Sequence, residues 1–309
     1  MEFSLTTLGT ASALPTAYRY PSAHVVTFRE RLFLIDCGEG AQMQMRRAGI
    51  PFSKIDNIFL SHLHGDHFFG LFGLLSTFGM MGRLQPLYIY APEGFRRSLD
   101  YFLSEFGDGI KYEIRFTPVK CKEPTTIIDG KKLEIIAFPL RHRMETYGYI
   151  FREKVPQLNI YKHLIEPYKL TLREIGSFKN GEDVFREDGT LLLNKDFAYL
   201  PYSPRQIAYC SDTAPFAKLP EYVKGSDLLY HEATFGSDLK DIASMTMHST
   251  AEQAANTAVL SGSKKLIIGH FSSRYKSPVC LLEEARKIFK ESYLAEEGTK
   301  FEVPFVPNK

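Results

Sequence analysis

The stretch Ser61-His62-Leu63-His64-Gly65-Asp66-His67 gathers three imidazoles and a carboxylate directly after the apolar run Ile55-Asp56-Asn57-Ile58-Phe59-Leu60. In an extended segment, side chains two residues apart point the same way, so His62 and His64 can offer both rings to one cation. Gly65 lets the backbone turn, and Asp66 and His67, on the turn that follows, can face a second position beside the first. Imidazole nitrogen with carboxylate oxygen is a donor set that Zn²⁺ accepts. The alternative is a histidine-rich surface loop, which a lone histidine would suggest. Four donors at this spacing after a strand instead point to a metal-binding loop.

A site for two cations needs more donors than one loop supplies, and three further groups fit. His142 follows the strand-like Leu133-Glu134-Ile135-Ile136-Ala137-Phe138, Asp212 ends Ile207-Ala208-Tyr209-Cys210-Ser211, and His270 ends Leu266-Ile267-Ile268-Gly269. Each is a polar donor placed just after an apolar, β-rich run. One such placement is an ordinary turn or cap residue; three repetitions suggest convergence on one site. A carboxylate such as Asp212 can bridge two cations, which a neutral imidazole cannot.

The elements that must position these groups alternate along the chain. Ser4 to Leu8, Val25 to Phe28 and Leu32 to Asp36 read as strands, and Glu39 to Ala48 as a helix. Phe68 to Met81, rich in Phe, Leu and Gly and nearly uncharged, reads as a helix buried beneath the metal loop. Leu87 to Tyr90, Ile114 to Val119 and Ile127-Ile128 read as further strands, and Pro92 to Phe106 as a helix with proline near its start. Thr250 to Leu260 and Pro278 to Glu291 read as helices, the latter with Leu281, Leu282, Ala285, Ile288 and Phe289 at helical spacing. Both halves run strands then helices, as a two-sheet αββα sandwich requires.

At 309 residues with 44% apolar content the chain can bury a large core. A net charge of +2 means that any nucleic-acid contact would use a local patch and not a globally basic surface. Cys37, Cys121, Cys210 and Cys280 lack CxxC spacing, and two lie in apolar runs, so free thiols and a reducing compartment are expected. The N-terminus lacks a basic, apolar leader, and no run of about 18 uncharged apolar residues occurs. A soluble, cytoplasmic protein is expected, with no membrane or DNA partner.

The His-x-His-x-Asp-His loop with later His, Asp and His donors resembles the metallo-β-lactamase superfamily. Further stretches are similar to ribonuclease Z in its short form, the tRNA 3′-processing endonuclease. These include Leu8-Gly9-Thr10-Ala11-Ser12-Ala13-Leu14-Pro15-Thr16, Leu34-Ile35-Asp36-Cys37-Gly38-Glu39-Gly40, the metal loop running on into Phe68-Phe69-Gly70-Leu71, and Tyr209-Cys210-Ser211-Asp212-Thr213. His231-Glu232-Ala233-Thr234-Phe235, His248-Ser249-Thr250-Ala251 and His270-Phe271-Ser272-Ser273-Arg274-Tyr275 complete the match, which runs to about residue 276. The His-Glu-Ala-Thr and His-Ser-Thr pair narrows the superfamily to the tRNA enzymes.

The resemblance implies an α/β fold, a metallo-β-lactamase-like αββα sandwich of two mixed sheets with helices on the outer faces, as one domain over residues 1–309. It implies two Zn²⁺ per chain, other divalent metals being possible: His62, His64 and His142 on one, Asp66, His67 and His270 on the other, Asp212 between them. Asp66 would also accept the proton of the attacking water, and His248 would protonate the departing RNA 3′-oxygen. His231 and Glu232 are adjacent on a strand and point to opposite faces; Glu232 is assigned to the site, where it would orient His248 and raise its pKa. Arg274 is a candidate phosphate contact, with a structural salt bridge as the alternative. His24 and His163 read as ordinary polar residues.

The segment 156–193 breaks the rhythm and resembles, in place, the protruding tRNA-binding arm of ribonuclease Z. Lys162, Lys169, Arg173 and Lys179 are its candidate RNA contacts. It keeps Phe178-Lys179-Asn180-Gly181-Glu182 but lacks the Gly-Pro-rich tip of the commoner pattern; an ordinary surface insertion is the other reading. The implied activity is cleavage of precursor tRNA 3′ of the discriminator nucleotide, leaving a tRNA 3′-hydroxyl and a 5′-phosphorylated trailer, by a homodimer. The rivals are a metal-dependent hydrolase of small phosphodiesters or other esters on the same fold, and a non-catalytic RNA-binding relative.

Overall fold

In the computed structural model, which describes residues 1–14 and 16–308, two seven-stranded mixed sheets lie face to face. Pro15, part of the motif Leu8 to Thr16, lies outside the described residues. The first sheet runs, edge to edge, Lys300–Glu302, Phe3–Gly9, Ala23–Phe28, Arg31–Cys37, Ile55–Phe59, Leu87–Pro92 and Ile114–Val119. The second runs Ser292–Leu294, Leu266–Gly269, Leu228–Glu232, Gln206–Cys210, Tyr147–Glu153, Leu133–Pro139 and Thr125–Asp129.

Between the sheets lies an aromatic-rich core that includes Phe33, Phe59, Tyr149, Phe151, Tyr209 and Tyr230. Helices Ala41–Arg47, Gly65–Met80 and Phe95–Phe106 cover the outer face of the first sheet through a second cluster. Helices Ala251–Ser261 and Val279–Ile288 cover the second through a third. This is the αββα sandwich expected from the sequence, and it explains the near-continuous apolar runs: strands covered on both faces have no solvent side.

The consequence for function is directional. Arg31–Cys37, Ile55–Phe59, Leu87–Pro92 and Ile114–Val119 pair in parallel, as do Gln206–Cys210, Leu228–Glu232, Leu266–Gly269 and Ser292–Leu294. The loops that leave the carboxyl ends of these strands supply most of the polar groups of the site, the usual position for ligands in α/β sheets; His142 follows Leu133–Pro139, which runs in the same direction as Gln206–Cys210 across the antiparallel Tyr147–Glu153.

Three features depart from the sequence reading. Tyr147–Glu153, not read as a strand, is a fully paired member of the second sheet. The helix after the metal loop begins at Gly65, so Asp66 and His67 occupy its first turn and not a preceding turn; a carboxylate there also suits the positive helix end. That helix is only partly buried: Phe68, Leu71, Leu74, Leu75 and Phe78 face the core, while Phe69 and Met80 are exposed.

The excursion between Tyr147–Glu153 and Gln206–Cys210 folds on a cluster of its own, formed by Ile160, Leu170, Phe178, Leu192, Phe197 and Ala198. The Phe178 and Phe197 rings stack at 4.8 Å. Thr171 and Glu174 close a capping box on helix Leu172–Lys179, and two short ribbons pair Asn159–Ile160 with Ala198–Tyr199 and Val184–Phe185 with Leu191–Leu192. At its base the buried Glu153–Arg205 ion pair (2.9 Å) joins the two flanking strands.

Candidate metal centre

Seven side chains from both sheets converge in two groups, and a third, overlapping grouping sets Asp212 and His270 beside His248. His62 Nε2 lies 2.9 Å from His64 Nδ1, His142 Nε2 lies 3.4 Å from the same His64 nitrogen, and Asp212 Oδ2 stands 3.5 Å from His62 Nε2 and 3.9 Å from His142 Nε2. In the second group His67 Nε2 and His270 Nε2 are each 3.5 Å from Asp66 Oδ2, and Asp212 Oδ1 is 3.5 Å and 3.3 Å from them. The two oxygens of Asp212 thus face different groups.

These atoms fit a cation in each group. Tetrahedral Zn²⁺ with N and O ligands at ~2.0–2.1 Å holds neighbouring ligand atoms roughly 3.3–3.4 Å apart, close to most of the distances above. His67 Nε2, His270 Nε2 and Asp212 Oδ1 are buried without a hydrogen-bond partner, a costly state for polar atoms that a shared cation relieves.

The rings are set to present lone pairs inward. His67 donates its Nδ1–H to Asp36 Oδ2 (2.7 Å), His142 to the Met247 carbonyl (2.9 Å), His270 to Thr234 Oγ1 (3.0 Å) and His62 to Ser61 Oγ (3.0 Å). Each bond fixes the tautomer that leaves Nε2 free. Burial pushes the pKa of His62, His64 and His142 down, with partial opposition from Asp212, so they stay neutral as ligands must. At His67 burial acts the same way, but the carboxylates of Asp212, Asp66 and Asp36 outweigh it and hold the pKa well above the imidazole range. Asp212 lies well below the carboxylate range: burial opposes its charge, and the surrounding rings, His270 foremost, overcome that. Such a concentration of carboxylate around the second group calls for positive charge, from a proton or from a metal.

Asp36 is a residue of the site that sequence reasoning missed. Fully buried, it accepts hydrogen bonds from His67, the Ser61 amide (2.7 Å), Ser61 Oγ (2.9 Å) and the Tyr209 hydroxyl (2.9 Å). Its φ is +54°, and Ala13, Met247 and His270 are likewise at positive φ. All four touch the centre, Ala13 by donating its amide to Asp66 Oδ2 at 2.8 Å. Non-glycine residues in this region cost about 1–3 kcal/mol each and gather at functional sites. The signal available in the sequence was Asp36-Cys37-Gly38-Glu39-Gly40, a carboxylate at a strand end before a glycine-rich turn.

Across Asp212 stands a second pair. His248 Nδ1 lies 3.1 Å from Glu232 Oε1, and His248 Nε2 is 4.0 Å from Asp212 Oδ2. Burial opposes charge on His248, but Glu232 and Asp212 outweigh it and push its pKa up to about 9. Glu232, fully buried, also accepts from the amides of Thr213, Thr234 and Ser249 and from Thr234 Oγ1. The neighbouring His231 ring bonds the Glu232 carbonyl instead (2.7 Å) and takes no part. Both groups and His248 open on a cavity of about 550 Å³, also lined by Glu39, Phe69, Arg143 and Arg274. Arg274 is exposed, bonds only Ser272 Oγ at 3.4 Å and has no carboxylate partner among the described residues, contrary to the salt-bridge reading. His24 is no part of either ligand group: it is fully buried between the sheets, its ring 4.5 Å from that of Tyr230.

The relatives of the chain agree with this geometry. Over 297 residues it is 43% identical to ribonuclease Z of Bacteroides thetaiotaomicron, covering 96% of this chain and 94% of the relative. The chain belongs to the ribonuclease Z family. Among solved structures it resembles human tRNase Z, short form, with a TM-score of 0.71 at 26% identity over 97% of this chain and 99% of that one. The metallo-beta-lactamase fold protein YhfI from Bacillus subtilis shares the fold, with a TM-score of 0.69 at 17% identity, covering 98% of this chain and 100% of that one. The family description matching residues 3–155 is that of the anti-Pycsar protein Apyc1. The ribonuclease Z centre is thus a metal centre of the metallo-β-lactamase fold. Among the described residues no helix is long and apolar enough to cross a membrane.

Proposed function

We propose that this ribonuclease Z hydrolyses precursor tRNA on the 3′ side of the discriminator nucleotide, leaving a tRNA 3′-hydroxyl and a 5′-phosphorylated trailer. The observation that supports phosphodiester chemistry is the His248–Glu232 pair across Asp212 from both ligand groups. An alkoxide leaving group needs a proton, and a protonated imidazole held by a buried carboxylate can deliver one; a thioester, whose thiolate departs readily, has no comparable need.

The residues divide the work as follows. His62, His64 and His142 would hold one zinc ion, Asp66, His67 and His270 the other, with Asp212 bridging. When bound, such a pair supplies Lewis acidity and a water acidic enough to be deprotonated near neutral pH. Asp66 is placed to take the proton of that water; its own pKa is low because, although burial opposes its charge, His67 and His270 favour it. His248 gives its Nε2 proton to the departing 3′-oxygen, so P–O3′ breaks as the bond from phosphorus to the water oxygen forms. Glu232 positions the ring through Nδ1 and keeps it charged. Arg274, exposed at the cavity rim, binds a phosphate oxygen.

We read the excursion at 156–193 as an arm inserted into one domain spanning 1–309. Lys162, Lys169 and Arg173 are exposed without carboxylate partners among the described residues and would contact tRNA phosphates. Lys179 is half-buried and contributes least. A homodimer, as the family resemblance implies, would let one subunit's arm hold tRNA for the other's centre. The test is to incubate the protein with a 3′-extended pre-tRNA, map the cut and identify both new ends. Cleavage at another position, or none with the metal sites filled, refutes the proposal.

A further inference from the structure

The rim of the central cavity carries an aromatic side chain that the chemistry above leaves unused. Phe69 lines the cavity and is 64% exposed, yet its ring is not loose. It lies on Gly65, where a Cβ would come within 2.3 Å of the ring's Cε2, and it meets the Phe68 ring edge-on at 5.0 Å. The absence of a side chain at 65 therefore lets the ring seat against the backbone at the lip of the site. A large apolar surface held in this way beside the reacting groups suits a flat, apolar-faced ligand.

Its side of the cavity says which part of the substrate that is. Phe69 stands beside Gly65 and Asp66. His248 instead packs against His142, His270 and Phe235, at ring separations of 5.1, 5.5 and 6.2 Å, and has no ring contact with Phe69 among the described residues. On the reading that His248 protonates O3′, the discriminator ribose lies against His248, and the chain beyond phosphorus leads away from it. We propose that Phe69 is a stacking platform for the base of the first trailer nucleotide. Leu14, also in the cavity lining and 64% exposed, offers a second apolar contact. Stacking does not depend on base identity, because every base has a π-face; the platform would demand a base there without choosing which.

This inference rests on the pre-tRNA reading, and the test separates the two. Single-turnover cleavage is measured with intact pre-tRNA and with substrates abasic at the first trailer position or at the discriminator. The proteins are the parent, Phe69→Ala, Phe69→Leu and Phe69→Trp. The parent is expected to lose roughly ten-fold on the trailer-abasic substrate, in the range of base–aromatic stacking. Phe69→Ala and Phe69→Leu should lose about as much on intact substrate and little more on the trailer-abasic one, while Phe69→Trp retains the parent's sensitivity. Leu keeps apolar bulk, so it reports even where Ala folds badly. A Phe69 defect equally large on trailer-abasic and intact substrates overturns the proposal, as does coupling to the discriminator base alone. Failure of the parent to cut intact pre-tRNA at the trailer junction would instead refute the functional reading itself.

Discussion

Replacing His248 by alanine removes a ring that stands beside the two outer-ligand groups without belonging to either, and so separates proton delivery from architecture. Its one charge-assisted bond within the protein is to Glu232 (3.1 Å), its Nε2 is 4.0 Å from Asp212, and it is not needed to complete either group of three outer ligands. Metal content should therefore be retained. The cleavage step should fall by roughly 10²–10⁴-fold, the range for a positioned general acid, or about 2.7–5.4 kcal/mol of barrier. Glu232→Ala is a different perturbation, because it strands the buried amides of Thr213, Thr234 and Ser249 at about 1–3 kcal/mol each. It should lower the melting temperature as well as the rate. Glu232→Gln is the cleaner partner: without the carboxylate charge the imidazolium is less stable. The alkaline limb of the rate profile, where the acid loses its proton, should move to lower pH. The assay compares pre-tRNA with bis(p-nitrophenyl) phosphate, whose leaving group departs without a proton. Loss of metal from His248→Ala, or an equal defect on both substrates, would refute the acid role.

Asp212→Ala should lose metal and activity together, since its two oxygens face the two ligand groups; elemental analysis of an active variant with two ions per chain would rule out bridging. Asp36→Asn keeps the size of the group but weakens its hold on His67, and should reduce metal affinity by about 10–100-fold, read by competition with a chelator. Replacing residues 157–199 by a short Gly-Ser bridge should leave the sandwich folded, because Tyr147–Glu153 and Gln206–Cys210 are antiparallel neighbours whose ends a hairpin can join. Pre-tRNA binding should weaken and its salt slope shrink by at most about 3.6, the value for the four contacts Lys162, Lys169, Arg173 and Lys179 at ~0.9 each. An unchanged slope and affinity would exclude the arm as an RNA clamp.

Much of this site was legible because parallel strands buried on both faces read as unbroken apolar runs, so the first polar donor after each is conspicuous. Asp212 after Cys210-Ser211 and His270 after Gly269 are of this kind. Tyr147–Glu153 was not legible: Gly148 interrupts the β-rich pattern, and its reason is tertiary, since a Cβ there would meet the Phe138 ring at 2.2 Å and the Tyr209 carbonyl at 2.7 Å. The edge strands Ser292–Leu294 and Lys300–Glu302 are too short to show a period. The start of the helix at Gly65 was hidden by glycine's poor helix propensity. Its first turn is tied down from outside the local sequence, Asp66 accepting the Ala13 amide and His67 donating to Asp36. Asp36 escaped because its partner His67 is 31 residues away: the strand-end carboxylate before a glycine-rich turn was visible, but not what it binds.

Asp36 also shows why the centre and the sandwich depend on each other. It lies in the first sheet and accepts from Tyr209 of the second at 2.9 Å, while Ser211 Oγ donates to Ser61 Oγ at 2.9 Å and Ser61 in turn donates to Asp36. The two layers are thus tied by polar contacts directly beneath the ligand groups, where a purely apolar core would leave their spacing free to drift. An apolar interface tolerates small slides; a chain of hydrogen bonds between buried groups does not, because each lost partner costs about 1–3 kcal/mol. The oxygens of Asp212 and the nitrogens of His62 and His67 come from opposite sheets, and their separation of 3.5 Å depends on that spacing. The strained backbone at Asp36 and His270 is then the conformational cost of holding donors from two layers at one point.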